Sequence, residues 1–305
     1  MHQQSTYHQA VLLSECIEQL NIQPDGYYLD ATFGGGGHSK AILSKLGPKG
    51  RLMVFDQDED ARKNDPGDSR LLFIRENFRY AHRFVRMYGW KLDGVLADLG
   101  VSSWQFDTAE RGFSTRFDAA LDMRMDLRIK TDASAILNQY PEAELYRLFE
   151  DYGEVTNARS LARSIVEYRK QAAISTISGF KQLIGPQVYG NPNKYLAQVF
   201  QALRIEVNDE INALRDFLSG ITPYLKPGGR LCIISFHSLE DRLVKNWIKN
   251  QSFSEHEEHP FLSTRRKRLL RNVHKKPVLP GNDELNQNPR ARSAKLRVAE
   301  RLTDE

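Results

Sequence analysis

The sequence predicts an α/β fold: a mostly parallel sheet wound by helices and interrupted by a mainly helical inserted domain. Three observations predict it. Short apolar runs alternate with helix-period segments in the first third of the chain and again after the middle. Between about 107 and 193 the strand signal nearly disappears while helical spacing continues. A run of glycines directly follows the first strand candidate. Alternation of strand and helix is the pattern of a wound parallel sheet, and apolar runs without strict alternation are the pattern of strands covered on both faces.

In chain order, residues 10–20 read as a helix and 27–33 as a strand that runs into Gly34-Gly35-Gly36-Gly37. Residues 39–46 read as a helix stopped by Gly47-Pro48. Three more strands follow at 51–56, 70–75 and 92–99. In the insertion, helices are predicted at 144–152, 158–169 and 177–184 from apolar residues at helical spacing, among them Leu145, Leu148, Phe149, Leu161 and Ile165. Helices at 195–207 and 209–225, a turn at Pro227-Gly228-Gly229, a strand at 230–236 and a helix at 239–248 complete the second half of the sheet. Residues 295–299 are the last strand candidate. The reading places a discontinuous α/β domain at 1–106 and 205–305 and a helical insertion at 107–204.

A chain of 305 residues, 40% hydrophobic and 27% charged, has the balance of a folded globular protein. No apolar run approaches the roughly 20 residues of a membrane helix. The polar stretch from Met1 to Gln9 lacks the order of a signal peptide, so a cytoplasmic protein without a membrane partner is expected. Cys16 and Cys232 show no metal-type spacing, and neither a disulfide framework nor a metal site is expected. The net charge of +4 says little. Its distribution says more: Arg265, Arg266, Lys267, Arg268, Arg271, Lys275, Lys276, Arg290, Arg292, Lys295 and Arg297 crowd the C-terminal part. That is the footprint of a nucleic-acid surface, with a solvated basic loop as the plainer alternative.

A strand, a glycine run and a helix start make a loop that cradles a nucleotide-like ligand. Glycines let a ligand approach the backbone, and the first N–H groups of the helix can meet an anion. Asp56 ends the second strand about 20 residues on, where an acid accepts hydrogen bonds from ribose hydroxyls. Ser39 stands where a dinucleotide fingerprint wants Gly or Ala, and there is no Gly-Lys-Ser/Thr phosphate loop. The loop therefore suits S-adenosylmethionine better than a dinucleotide; a ligand-free glycine turn is the alternative.

Longer strings then resemble one family over nearly the whole chain: Asp30-Ala31-Thr32-Phe33 leading into the glycines and His38-Ser39, Asp98-Leu99-Gly100-Val101-Ser102-Ser103, Arg111-Gly112-Phe113-Ser114, Leu121-Asp122-Met123-Arg124-Met125-Asp126, Phe200-Gln201-Ala202-Leu203-Arg204, Ser235-Phe236-His237-Ser238-Leu239-Glu240-Asp241-Arg242 and Asn288-Pro289-Arg290-Ala291-Arg292-Ser293. The sequence resembles the bacterial RsmH (MraW) family, the 16S rRNA cytosine-N4 methyltransferases. The resemblance implies a class I, Rossmann-like methyltransferase dependent on S-adenosylmethionine, with a helical domain inserted after the fourth strand. It implies transfer of a methyl group to N4 of a cytidine in the decoding region, on the small ribosomal subunit, with no role for DNA. Carried over residue by residue, the cofactor would be held by Gly36, Gly37, His38, Asp56, Phe78, Asp98 and Gln105. The chain departs from the pattern at Trp104, where many members have proline, and at Gln198, which stands for an arginine whose RNA contact cannot be carried over.

From the residues themselves, Asp98 is the catalytic candidate, because it closes the fourth strand on the side where such sheets bind ligands. Its plainer reading is a loop-capping aspartate. Phe78 stacks on an adenine or belongs to the core, and His38 contacts the cofactor or caps the helix. His237, Glu240 and Asp241 form an active-site wall, or else the two acids cap a helix and the histidine makes a structural hydrogen bond. Methyltransferases acting on DNA or protein, an assembly factor without catalysis, and a nicotinamide-dependent dehydrogenase are the rival readings. The intact glycine loop with Asp56 disfavours the assembly factor, and Ser39 and the insertion disfavour the dehydrogenase.

Overall fold

The structure, a computed structural model, describes residues 10–253 and 268–303. Arg265, Arg266 and Lys267 of the predicted basic cluster lie outside the described residues. Two compact units divide the chain: residues 1–100 with 211–305, and residues 101–210.

The first unit is a seven-stranded sheet. Its strands are β1 (Tyr27–Asp30), β2 (Arg51–Phe55), β3 (Leu71–Ile74), β4 (Leu92–Asp98), β5 (Leu225–Ser235), β6 (Leu270–Asn272) and β7 (Lys295–Arg301), in the spatial order β3-β2-β1-β4-β5-β7-β6. The first five pair in parallel, and β7 runs antiparallel to both β5 and β6. Helices α1 (Leu13–Leu20), α2 (Gly37–Lys45), α3 (Ala81–Met87), α10 (Glu210–Ile221), α11 (Ser238–Asn250) and α12 (Asn282–Gln287) belong to this half of the fold. This is the doubly wound, Rossmann-like architecture. From β1 the chain winds outward through β2 to β3, then returns to β4 on the other side of β1. The switch point between β1 and β4 is where such sheets open a crevice at their carboxyl ends.

The inner strands β2 and β4 form where they do because they are covered on both faces. In β2, Leu52, Met53, Val54 and Phe55 are all buried, and β4 buries Leu92, Val95, Leu96 and Ala97. Removing each large side chain from water contributes about 1.5–3 kcal/mol. The Pro227-Gly228-Gly229 turn is present, but inside β5: Leu92 pairs with Leu225 and Gly94 with Arg230, so the residues between loop out as a bulge, with Gly228 at φ 81°. The helix expected over 209–225 accordingly stops at Ile221.

The second unit is helical: α4 (Ser103–Asp107), α5 (Ala133–Gln139), α6 (Glu142–Asp151), α7 (Ala158–Tyr168), α8 (Ile177–Ile184) and α9 (Pro192–Asn208). Leu145, Leu148, Phe149, Leu161, Ile165, Phe180 and Leu203 meet in its own core. Asn208 ties the loop before α5 to the end of α9: its Nδ2 donates to the Met123 and Arg204 carbonyls, and its Oδ1 accepts from the Met125 N–H at 2.7 Å. α9 passes unbroken through position 204.

Candidate cofactor and catalytic site

Acidic residues and a glycine loop gather at the carboxyl ends of β1, β2 and β4. The two strands end on Asp30 and Asp98, and Thr32 joins them by accepting the Asp98 N–H on its hydroxyl at 2.7 Å. Asp30 is fully engaged. It accepts from the Thr32 N–H at 3.1 Å and the Ser39 hydroxyl at 2.6 Å, which fastens α2 to β1. Burial raises its carboxyl above the ordinary range.

The glycine loop is shaped by necessity at two positions. Gly36 has φ +75°, and a Cβ on Gly37 would lie 2.9 Å from the Cβ of Ala10. Gly35 has open space where a side chain would project. No side chain caps the N-terminus of α2, so the first-turn N–H groups of Gly37, His38 and Ser39 are left to an outside acceptor. Asp56 holds the loop from the far side. One carboxylate oxygen accepts the Gly34 N–H and the other the Asp58 N–H, each at 2.8 Å. Asp56 keeps part of its surface open, yet the surrounding protein pushes its carboxyl up to about 7, against the pull of those two donors.

His38 is buried within the first turn of α2 and does not cap it, contrary to one of the two sequence expectations. Its Nε2 lies 3.0 Å from the Val11 carbonyl. A carbonyl only accepts, so Nε2 carries the proton. Burial holds the ring's pKa down, which leaves it neutral. Nδ1 then turns a lone pair toward Asp98 Oδ2, 4.0 Å away, too far for a hydrogen bond.

Asp98 is the unusual member. Its Oδ1 is buried without a hydrogen-bond partner, and among the described residues no lysine or arginine pairs with it. Burial, then the nearby carboxylates of Asp30, Glu240 and Glu284, drive its carboxyl well above the usual range. A buried oxygen of this kind is costly unless a donor completes it.

Phe78 opens the turn after β3, with its ring edge-on to Phe217 at 5.3 Å. Gln105 belongs to the helical unit, where it is buried and closes a capping box with Ser102 on α4. Gly36, Gly37, His38, Asp56, Phe78 and Asp98 all belong to the sheet unit. After β5, the capping roles differ from those expected. His237, not an acid, caps α11, although its contact with the Glu240 N–H is long at 3.5 Å. His237 Nε2 lies 3.2 Å from Glu240 Oε1, and Glu240 Oε2 accepts the Phe236 N–H. Asp241 pairs with Arg297 at 2.6 Å.

Sequence reasoning assigned no role to Asp30, Thr32 or Glu284. The spacing of Asp30-Ala31-Thr32 before the glycines places Asp30 and Thr32 on the loop's approach, but only the fold brings Glu284 near. Glu284 Oε1 accepts the Leu12 N–H at 2.7 Å, holding Leu12 in a left-handed conformation at φ 51°. In the helical unit, Gln198 donates to the Glu154 carbonyl at 3.1 Å, and Trp104 lies exposed with the Arg111 guanidinium 5.4 Å from its ring.

Comparison with known proteins places this geometry. The profile of the MraW methylase family matches residues 5–302. Ribosomal RNA small subunit methyltransferase H of Christiangramia forsetii is 51% identical over 301 residues, covering 97% of this chain and 98% of its own. The protein of the same name from Parabacteroides distasonis is 50% identical, with 98% of both chains covered. Among solved structures, an rRNA methylase from Streptococcus thermophilus aligns with a TM-score of 0.42 at 12% identity, over 95% of this chain and 94% of that one.

Proposed function

The chain belongs to the MraW methylase family, and on that premise we propose that it transfers a methyl group from S-adenosylmethionine to the N4 amine of a cytidine in 16S rRNA, on the small ribosomal subunit in the cytoplasm. The observation that carries the catalytic assignment is the buried, unpartnered Oδ1 of Asp98 at the β1/β4 switch point.

The residues present fit this donor. The uncapped first turn of α2, at Gly37 and His38, suits the donor's carboxylate, and Gly36 keeps the approach free of side-chain atoms. Asp56 suits the ribose hydroxyls, which would donate to a carboxylate already aligned by two backbone N–H groups. Phe78 would stack on the adenine, and Gln105 is assigned to the cofactor by the family resemblance alone. S-adenosylmethionine supplies a methyl group on a sulfonium, open to displacement in line with the departing thioether.

The chain's own task is to make a poor nucleophile react. The lone pair of a cytosine N4 is delocalised into its ring, so positioning matters, and good alignment supplies roughly 7–11 kcal/mol in favourable systems. Asp98 supplies acceptors for the amine hydrogens. As the C–N bond forms and the C–S bond breaks, the nitrogen becomes acidic and passes a proton to the Asp98 carboxylate. Burial and the neighbouring carboxylates raise that carboxyl above the ordinary range, which strengthens it as a proton acceptor. His38, neutral and fixed to the Val11 carbonyl, lies beside Asp98 without competing for the proton.

The target base must leave its stack for N4 to reach the methyl group. The helical unit is the substrate-side domain in this reading, together with the basic C-terminal part. The reading excludes DNA as substrate.

The test is transfer of radiolabelled methyl from S-adenosylmethionine to small ribosomal subunits lacking the mark, with nucleoside analysis. N4-methylcytidine is the expected product. Label in another nucleoside, or in ribosomal protein, contradicts the assignment.

A further inference from the structure

The mechanism leaves one surface of the sheet unit unused. It begins on α3 and continues to the amino ends of β1, β4 and β5, the end of the sheet opposite Asp98. Between 79 and 91 the sequence carries Arg79, Arg83, Arg86 and Lys91 without a single Asp or Glu. Aromatic residues are interleaved with them: Tyr80, Phe84, Tyr88 and Trp90.

The structure arranges these as a continuous strip. Arg83, Phe84 and Met87 share one face of α3 and, with Glu76 and Tyr80 just before the helix, line a surface pocket of about 270 Å³. The Arg83 guanidinium lies 4.6 Å from the Tyr80 ring. Beyond the helix, Met87 is 68% and Tyr88 46% exposed. Tyr88 meets Trp90 at 6.1 Å, and Trp90 meets Tyr27 at 4.9 Å. Lys91 lies over Tyr224 and Lys226 over Tyr27.

The charge on this strip is only partly neutralised. The nearby acids are engaged: Asp216 by Arg79, and Asp93 by Lys226 and the Tyr27 N–H. Arg83, Arg86 and Lys91 have no carboxylate partner among the described residues. Cations interleaved with half-buried rings and the exposed Tyr88 ring fit a polyanion that also presents flat bases: the cations meet phosphates and Tyr88 offers its ring to an unstacked base. A protein partner of acidic character would use the charges but leave the rings without a matching face.

We propose that this strip is a second RNA-contacting surface, which grips a single-stranded segment of the ribosomal RNA away from the methylated base. The inference rests on the rRNA reading above and extends it from a reacting nucleotide to a footprint that wraps the flank of the sheet unit.

The experiment measures binding to small ribosomal subunits across a salt series. It compares the wild-type chain, the triple variant Arg83→Ala/Arg86→Ala/Lys91→Ala, the charge-preserving variant Arg83→Lys/Arg86→Lys/Lys91→Arg, and Tyr88→Ala. All four positions are exposed, and thermal melting confirms that each variant folds. In the triple variant, the slope of log affinity against log salt falls by about two. The charge-preserving variant keeps the wild-type slope. Tyr88→Ala binds roughly tenfold more weakly with the slope unchanged. Affinity for S-adenosylmethionine stays the same throughout.

A triple variant with the wild-type slope overturns the proposal. So does a triple variant that keeps its slope but changes from dimer to monomer in sedimentation, which would assign the strip to a second copy of the chain. Methyl transfer by the wild type is measured alongside. Transfer with an unchanged triple-variant slope removes this surface alone, whereas a wild type that neither binds the subunit nor methylates it removes the rRNA reading as well.

Discussion

The helical unit and the carboxyl ends of β2 and β4 handle buried charge in opposite ways. In the helical unit, carboxylates that leave the solvent meet guanidinium groups: Asp122 pairs with Arg124 at 2.6 Å, Asp126 with Arg128 at 2.8 Å, and Glu210 with Arg204 at 2.8 Å. At the carboxyl end of the sheet, Asp56 and Asp98 have no such partner among the described residues, and both are pushed up in pKa. Paired charges hold a fold together, whereas an uncompensated pair of carboxylates costs stability and persists where a ligand completes it. The sheet unit carries that cost at the switch point, and the helical unit does not.

The largest effect that sharpens this contrast is structural. Phe149 is fully buried in the core of the helical unit. Phe149→Ala lowers stability by about 3–5 kcal/mol in denaturant titration, through lost transfer energy and the cavity left behind. Affinity for S-adenosylmethionine, measured by calorimetry on the folded variant, stays within about twofold. A large loss of cofactor affinity would break the division of roles.

A smaller effect isolates Asp56. An asparagine there offers one acceptor and one NH₂ group where two backbone N–H groups, of Gly34 and Asp58, both need acceptors. Asp56→Asn therefore loosens the glycine loop and weakens S-adenosylmethionine binding by about tenfold. The same residue gives a pH signature in the cofactor-free protein. Its folded pKa of about 7 lies above the unfolded carboxylate value of about 4, so the folded state holds the extra proton between them. Its contribution to stability is present below that window and is lost as pH rises through about 7. Melting temperatures at pH 5 and pH 8 show this loss in the wild type and a smaller one in Asp56→Asn. An equal loss in both would remove Asp56 as its source.

How much of this was legible in the sequence follows the same physical division. β1, β2 and β4 were readable because parallel strands buried on both faces are continuous apolar runs, half-buried β3 because its four residues are all apolar, and the glycine loop because no other residue type fits its backbone. Asp56 followed from spacing along the chain. The short helices α4 and α5 and the three-residue β6 carried too few apolar repeats to be seen. The bulge in β5 read as a plain turn because the pairing with β4 that straddles it lies more than a hundred residues away. For Asp98, position at a strand end was legible but its isolation was not, since Asp30, Glu240 and Glu284 converge on it only in the fold. The capping role of His237 was missed for a local reason: an imidazole is an uncommon cap, and the acids in the next turn drew the assignment.

The measurement that tests the central claim most directly is the pH dependence of single-turnover methyl transfer to small ribosomal subunits, compared between the wild type and Asp98→Asn, with both saturated in S-adenosylmethionine. If Asp98 receives the amine proton, the wild-type rate rises with pH through a transition above the ordinary carboxylate range. Asp98→Asn then loses at least about a hundredfold in rate together with that transition. A variant that keeps both the wild-type rate and its pH profile would contradict the account.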